Sequence, residues 1–212
     1  MNIESLCQKL QNRPFFESLE IDTLFGQSEK EVLPRISRWV SQGKLIQLRR
    51  GKYLLPPRFQ KQSADPFYIS NYLYRPSYVS LNSALQFYGC IPEAVKIIQA
   101  VTTRQTVNWA NDFGRFRYFS TKPERFFGYT EIKLGNGEQQ NALIADPEKV
   151  LIDICYFSAG EWNVNRWSEL RLQHLEIIDT ARLHDYSARM KSLKIERSIN
   201  QLLKLLSNRE EL

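Results

Sequence analysis

Apolar positions recur at helical spacing from the start of the chain: Ile3, Leu6 and Leu10 share one face of residues 2–11. Pro14 closes this segment, because a proline forces the residue before it out of the helical region, and the helix is expected to end near Asn12. Residues 17–25 repeat the pattern with Leu19, Ile21, Leu24 and Phe25, and stop at Gly26, as a short helix with a terminal glycine does. Ser28 and Glu31 form S-x-x-E, in which each side chain satisfies a backbone donor at the other's position. The helix that this opens carries Val32, Ile36, Trp39 and Val40 as an apolar stripe, with Lys30, Pro34, Arg35, Ser37, Arg38 and Ser41 off it. Pro34 lies beyond the first turn, where it removes a hydrogen bond and crowds the preceding turn, so a kink or a start later than Ser28 is expected. Residues 44–48 and 52–55 then read as two short strands around Arg49-Arg50-Gly51, a hairpin ended by Pro56-Pro57.

Residues 58–66 (RFQKQSADP) are polar and proline-bounded, and are expected to link this unit to a second domain. There, residues 66–74 and 80–88 read as helices, the second with Ser80 as N-cap and Gly89 as its stop. Residues 97–102 form an apolar, β-branched run, and 114–119 alternate Phe116 and Tyr118 with Arg115 and Arg117, as half-buried strands do. Asn136-Gly137 is a hairpin signal between strands over 129–134 and 139–144. Asp146-Pro147-Glu148 is a helix opening, with Asp as cap and Pro at the first helical position, leading into 149–157. From Asn165 onward the pattern is helical and finishes with Ile195, Ile199, Leu202, Leu203 and Leu206 on one stripe. The expected fold is therefore α+β: an N-terminal helical unit with a hairpin over 1–57, a linker over 58–66, and a mixed α/β domain over 67–212 that ends in helices.

Composition leaves this picture intact. With 212 residues, 42% hydrophobic and 25% charged, the chain has an ordinary globular mixture and room for two cores. The N-terminus has no apolar leader, and no run of 18 apolar residues occurs anywhere, so a cytoplasmic protein without a membrane span is expected. Cys7, Cys90 and Cys155 are odd in number and form no CxxC pair, which fits a reducing compartment and neither a disulfide framework nor a zinc module.

Charge changes more. Residues 1–62 hold 11 basic and 6 acidic side chains, whereas the remainder hold 18 and 17, so nearly all of the net +6 is N-terminal. Between Lys30 and Lys61 nine basic residues face one acidic residue, Glu31. Such a segment is the electrostatic footprint of a nucleic-acid binder, and three short helices followed by a basic hairpin are the layout of a winged helix-turn-helix. A helix fits the major groove, and flanking cations hold phosphates. The candidate DNA-contacting residues are Ser28, Lys30, Arg35, Ser37 and Arg38 on the third helix, and Arg49, Arg50 and Lys52 on the hairpin. The competing reading is a basic face that is merely solvated, or one that meets an acidic protein or RNA without operator specificity.

The segment Gly43-Lys44-Leu45-Ile46-Gln47-Leu48-Arg49-Arg50-Gly51-Lys52-Tyr53 is followed by Pro76-Ser77-Tyr78-Val79-Ser80-Leu81-Asn82-Ser83-Ala84-Leu85, then Tyr88-Gly89 and Ile91-Pro92-Glu93. Val101-Thr102-Thr103-Arg104 and Asp146-Pro147-Glu148-Lys149-Val150-Leu151-Ile152-Asp153 come next. In this order and spacing the chain resembles the AbiEi family of bacterial abortive-infection antitoxins. The resemblance implies an N-terminal winged helix that represses its own operon by binding inverted repeats as a pair of reading heads, so a dimer on DNA. It further implies a C-terminal domain that neutralises a nucleotidyltransferase-like toxin, directly or indirectly. Pro34 matches no pattern of that family.

Other chemistry is weaker. His174 and His184 are ten positions apart and do not fit metal ligands one turn apart on a helix, so no metal or cofactor is expected. Asp146 reads as a cap and Glu148 as a first-turn charge, leaving Asp153, among Leu151, Ile152 and Ile154, as the carboxylate to inspect for burial. No phosphate-cradling glycine loop or GxSxG elbow occurs, so no catalytic residue is assigned and a non-enzyme is expected. The aromatics from Trp109 to Tyr129, interleaved with Arg104, Arg115, Arg117 and Arg125, suit either a stacking platform for RNA or a domain core, and alternation favours the core. The terminal leucine stripe is expected to pack on its own domain rather than on a partner.

Overall fold

In the structure, a computed structural model that describes residues 2–10, 13–135 and 140–210, the first helix is set by Asn2, whose side chain accepts from the Ser5 amide at 2.7 Å. This helix, α1 (Ile3–Lys9), buries Leu6 and is followed by a short strand β1 (Phe15–Glu17). The continuous helix expected over 17–25 is instead β1, a 3₁₀ turn (Ser18–Glu20) and α2 (Ile21–Phe25), which ends at Gly26 with φ +62°. The reason is reciprocal capping within the turn: Glu17 and Glu20 satisfy each other's backbone donors, the Glu17 amide donating to Glu20 Oε2 at 2.7 Å.

Helix α3 (Glu29–Ser41) opens at Ser28, as its S-x-x-E pattern predicts, and includes Pro34, so of the two expected consequences of that proline the later start does not occur. Lys30 and Pro34 are both exposed, where a carbonyl that lost its helical donor is solvated. Val32, Ile36 and Trp39 are buried and pack with Leu6, Phe16, Ile21 and Tyr53. Strands β2 (Ile46–Arg49) and β3 (Lys52–Leu54) form the expected hairpin, with Gly51 at φ +76° in its turn. Strand β1 joins it, giving an antiparallel sheet of order β1-β3-β2.

The segment between this unit and the rest is tied down rather than loose. Gln60 accepts from the Ala64 amide at 2.7 Å, the Asp65 amide donates to Gln140 Oε1 at 2.7 Å, and Ala64 is buried. Beyond it come α4 (Pro66–Leu73), β4 (Ser77–Val79), α5 (Leu81–Phe87), β5 (Ile98–Thr102), β6 (Val107–Ala110) and β7 (Arg115–Ser120). Strands β8 (Tyr129–Lys133) and β9 (Asn141–Ala145) complete a six-stranded mixed sheet of order β6-β7-β5-β4-β9-β8. The Asn136-Gly137 turn lies outside the described residues.

Helices α6 (Pro147–Phe157), α7 (Val164–Glu169), α8 (Thr180–Arg189) and α9 (Leu193–Glu210) finish the chain. Ile195, Ile199 and Leu202 of α9 are buried in the same cluster as Tyr78, Ile144, Val150 and Trp167, with Leu203 and Leu206 packed against it, so the terminal stripe is core. Phe116 and Tyr118 are also buried, which removes the best residues of an RNA-stacking platform. Two cap assignments change in chemistry: the Asp146 carboxylate accepts from the Tyr186 hydroxyl at 2.8 Å, and the Ser80 hydroxyl donates to Asp153 at 2.8 Å, so neither side chain caps its own helix. The protein is α+β, and among the described residues no helix is long and apolar enough to cross a membrane.

Candidate nucleic-acid interface

Because Val32, Ile36 and Trp39 hold one side of α3 in the core, its other side must face outward. Lys30, Ser37 and Arg38 are exposed there, while Arg35 is half-buried and in contact with neighbouring groups. Ser28 serves the helix itself: its amide donates to Glu31 Oε2 at 3.1 Å in the reciprocal cap. Glu29 accepts from the Ser18 hydroxyl at 2.5 Å, which fixes the start of α3 to the 3₁₀ turn. Both first-turn carboxylates, Glu29 and Glu31, stand at the N-terminal end, and Arg38 lies in the last turn. Lys30 thus stands between two carboxylates at the helix start, and Arg38 is the exposed cation at its far end.

The three hairpin cations divide. Arg50 is exposed at the turn beside Gly51, whose carbonyl accepts from the Ser18 amide at 2.9 Å. Arg49 turns inward: its guanidinium donates to the Leu73 carbonyl at 3.2 Å and lies 4.9 Å from the Trp109 ring centre. Lys52 is ion-paired with Glu17, donates to the Tyr72 carbonyl at 3.2 Å and sits 4.0 Å above the Tyr72 ring. A guanidinium or ammonium held by a carbonyl and an aromatic face is not aimed at a phosphate. Of the eight candidates, Lys30, Ser37, Arg38 and Arg50 are exposed, whereas Arg49 and Lys52 fasten the hairpin to α4 and β6.

The groups that receive the hairpin were invisible to the sequence pattern. Asn111, in the turn between β6 and β7, donates to the Leu48 carbonyl at 2.9 Å across 63 positions of chain. Phe15 packs against Tyr72 in a tilted pair with ring centres 3.7 Å apart, and burial raises the Tyr72 hydroxyl well above its ordinary range, helped by the Glu17 and Glu20 carboxylates. Phe15, Leu48 and Leu54 share one core cluster with Tyr72, Tyr74, Phe116 and Tyr118, so apolar packing is continuous from the hairpin sheet to the large sheet. Arg58, also not singled out, donates to the Gly43 carbonyl at 2.9 Å and closes the turn after α3.

A second polar cluster lies in the core of the large sheet. Lys149 and Asp153, one turn apart on α6, are fully buried and ion-paired; Asp153 also accepts from Tyr78 at 3.1 Å and Ser80 at 2.8 Å. The Lys149 ammonium faces the Tyr78 and Phe127 rings at 5.5 and 5.1 Å. Burial, reinforced by Asp153, pushes the Tyr78 hydroxyl far up, so it stays a donor. With every member inaccessible, the cluster ties α6 to β4. His174 and His184 are exposed, and His174 lies 3.2 Å from Glu176. Among the described residues no group of three His, Cys, Asp or Glu is arranged to hold a metal ion.

No protein-family model matches the chain, and no curated protein does either.

Proposed function

We propose that the N-terminal unit, residues 1–57, is a winged helix that binds operator DNA, with α3 as the groove-reading helix and Arg50 at the tip of the wing. The observation that carries this is the pairing of element order with exposure: helix, strand, helix, helix and hairpin, sheet order β1-β3-β2, and an α3 whose outward face holds Lys30, Ser37 and Arg38. That is the order of a winged helix-turn-helix, and an α-helix with one polar, cationic face outward matches a major groove lined by phosphates. The resemblance to the AbiEi antitoxins extends the proposal. The chain represses its own operon at inverted repeats, as a dimer on DNA, and residues 67–212 neutralise a nucleotidyltransferase-like toxin in the bacterial cytoplasm.

The internal engagement of Arg49 and Lys52 refines which cations meet phosphate. Each Lys or Arg that neutralises a phosphate adds about −0.9 to the slope of log affinity against log salt, so the slope counts contacts. The test is a titration of the full chain against a duplex from its own upstream region, at two salt concentrations, with excess unrelated duplex present. The expected result is competitor-resistant binding whose salt slope drops by about 1 in Arg38→Ala. Binding that unrelated duplex abolishes would refute operator recognition.

A further inference from the structure

The large sheet has two outer strands, β6 and β8, and they differ in what covers them. Strand β6 is engaged by the hairpin, since Arg49 lies over the Trp109 ring and Asn111, just beyond the strand, holds the Leu48 carbonyl. Strand β8 pairs only with β9, in an unbroken register from Tyr129 opposite Ala145 to Lys133 opposite Asn141. Bonds at the two ends of that ladder fix its phase: the Leu134 amide donates to the Gln140 carbonyl at 2.8 Å, and the Asp146 amide to the Gly128 carbonyl at 2.9 Å. Even-numbered residues of β8 therefore bond to β9, because bonded and non-bonded positions alternate along an antiparallel pair. The amides and carbonyls of Tyr129, Glu131 and Lys133 point the other way, out of the sheet edge, and take no partner among the described residues.

An open edge is a template for another strand, and proteins ordinarily blunt it with a proline, a bulge or charged side chains. Strand β8 (Tyr-Thr-Glu-Ile-Lys) has neither proline nor bulge. Its exposed charges, Glu131 and Lys133, are of opposite sign, share one pleat face, and enter no ion pair among the described residues. That pattern is complementary to itself. When two copies run antiparallel about a twofold axis at Ile132, Glu131 of each lies opposite Lys133 of the other. Both residues face the edge, so each such pair exchanges both backbone bonds, and Ile132 meets Ile132 at the non-bonded position where side chains approach more closely. An axis at Glu131 or at Lys133 would instead set like charges directly opposite each other, which is destabilising.

We propose that β8 pairs antiparallel with β8 of a second copy of this chain, about a twofold axis at Ile132, joining the two large sheets edge to edge. A contact of this kind uses the same patch on both copies and closes as a dimer. It does not rest on the operator reading and forms without DNA. A pair joined in this way carries two N-terminal units, the number that an inverted repeat takes.

The experiment is sedimentation equilibrium of the full chain, without DNA, over a wide range of concentration. The wild type is expected to pass from monomer to dimer as concentration rises. Glu131→Lys and Lys133→Glu, at exposed positions, each reverse two cross-strand pairs at once. Each is expected to weaken the dimer about tenfold or more while circular dichroism reports an unchanged fold. Mixing the two single variants in equal amounts is expected to restore pairing as a heterodimer, and Glu131→Lys/Lys133→Glu to restore it as a homodimer. A wild type that stays monomeric at every concentration would overturn the proposal. A dimer indifferent to both single variants, or one that neither the mixture nor the double variant recovers, would overturn it too.

Discussion

At the scale of single residues, the most consequential side chains are those whose charge or proton the fold holds in place. Lys149 and Asp153 compensate each other inside the core, and removing one leaves the other buried and alone. Asp153→Ala is therefore expected to destabilise by about 3–5 kcal/mol, and Lys149→Met/Asp153→Leu by much less, as measured by denaturant unfolding. Asp153 was legible as a burial candidate because three aliphatic residues surround it in sequence, but Lys149 was not. At the third position of a helix a lysine ordinarily reaches solvent, and here α6 is covered on all sides by its neighbours. The buried thiols set the response to alkali. Burial pushes Cys155 from 9.0 to about 12 and Cys90 to about 11, so the unfolded chain gives up these protons at lower pH than the folded one. Their contribution is intact below pH 9 and falls as pH rises toward 12, which a series of melting curves from pH 8 upward would show as a declining midpoint. In the native protein at pH 8, iodoacetamide is expected to modify the half-buried Cys7 ahead of Cys90 and Cys155, as peptide mapping would report.

Elements with a strong period of their own were readable, and elements defined by their partners were not. The capped helix α3, the Arg49-Arg50-Gly51 hairpin and the Asp-Pro helix opening appear where 3.6-residue spacing, a turn glycine and a proline put them. Strands β1 and β4 are three residues each, too short for alternation to register, and exist because β3, β5 and β9 offer free edges far away in sequence. The same limit hid the anchoring of the hairpin, since nothing local connects Arg49 with Trp109 or Leu48 with Asn111. Removing those ties should loosen one element without unfolding the protein. Arg49→Ala/Asn111→Ala is expected to speed amide exchange over 46–54 while the global melting midpoint falls only by what about 1 kcal/mol per lost hydrogen bond explains. Unchanged exchange in the hairpin would mean that its own turn and β1 suffice to hold it.

Across the whole molecule, the charge excess and the core divide the chain differently. Charge separates the first 62 residues from the rest, yet the cluster from Phe15 and Leu54 to Tyr118 crosses that line, and residues 60–65 are bonded to Gln140. Polar composition at 58–66 did not reveal this, because the ties are backbone amides and glutamine side chains that carry no sequence signature. The C-terminal helix is equally integral, and a chain ending at Lys194 loses Ile195, Ile199 and Leu202 from the main core. Each such large apolar loss costs about 2–5 kcal/mol, so that truncation is expected to unfold or aggregate rather than to yield a folded chain defective only in partner binding.

The central claim is that the exposed cations of the N-terminal unit meet DNA and the inward ones do not. The most direct test compares two multiple variants in competitor-resistant binding to the upstream duplex: Lys30→Ala/Arg38→Ala/Arg50→Ala and Arg49→Ala/Lys52→Ala. The first is expected to keep the wild-type melting midpoint and to lose affinity together with about three contacts' worth of salt slope. The second is expected to lower the midpoint and to retain the wild-type slope in whatever fraction stays folded. A first variant that binds with unchanged affinity and slope would contradict the account.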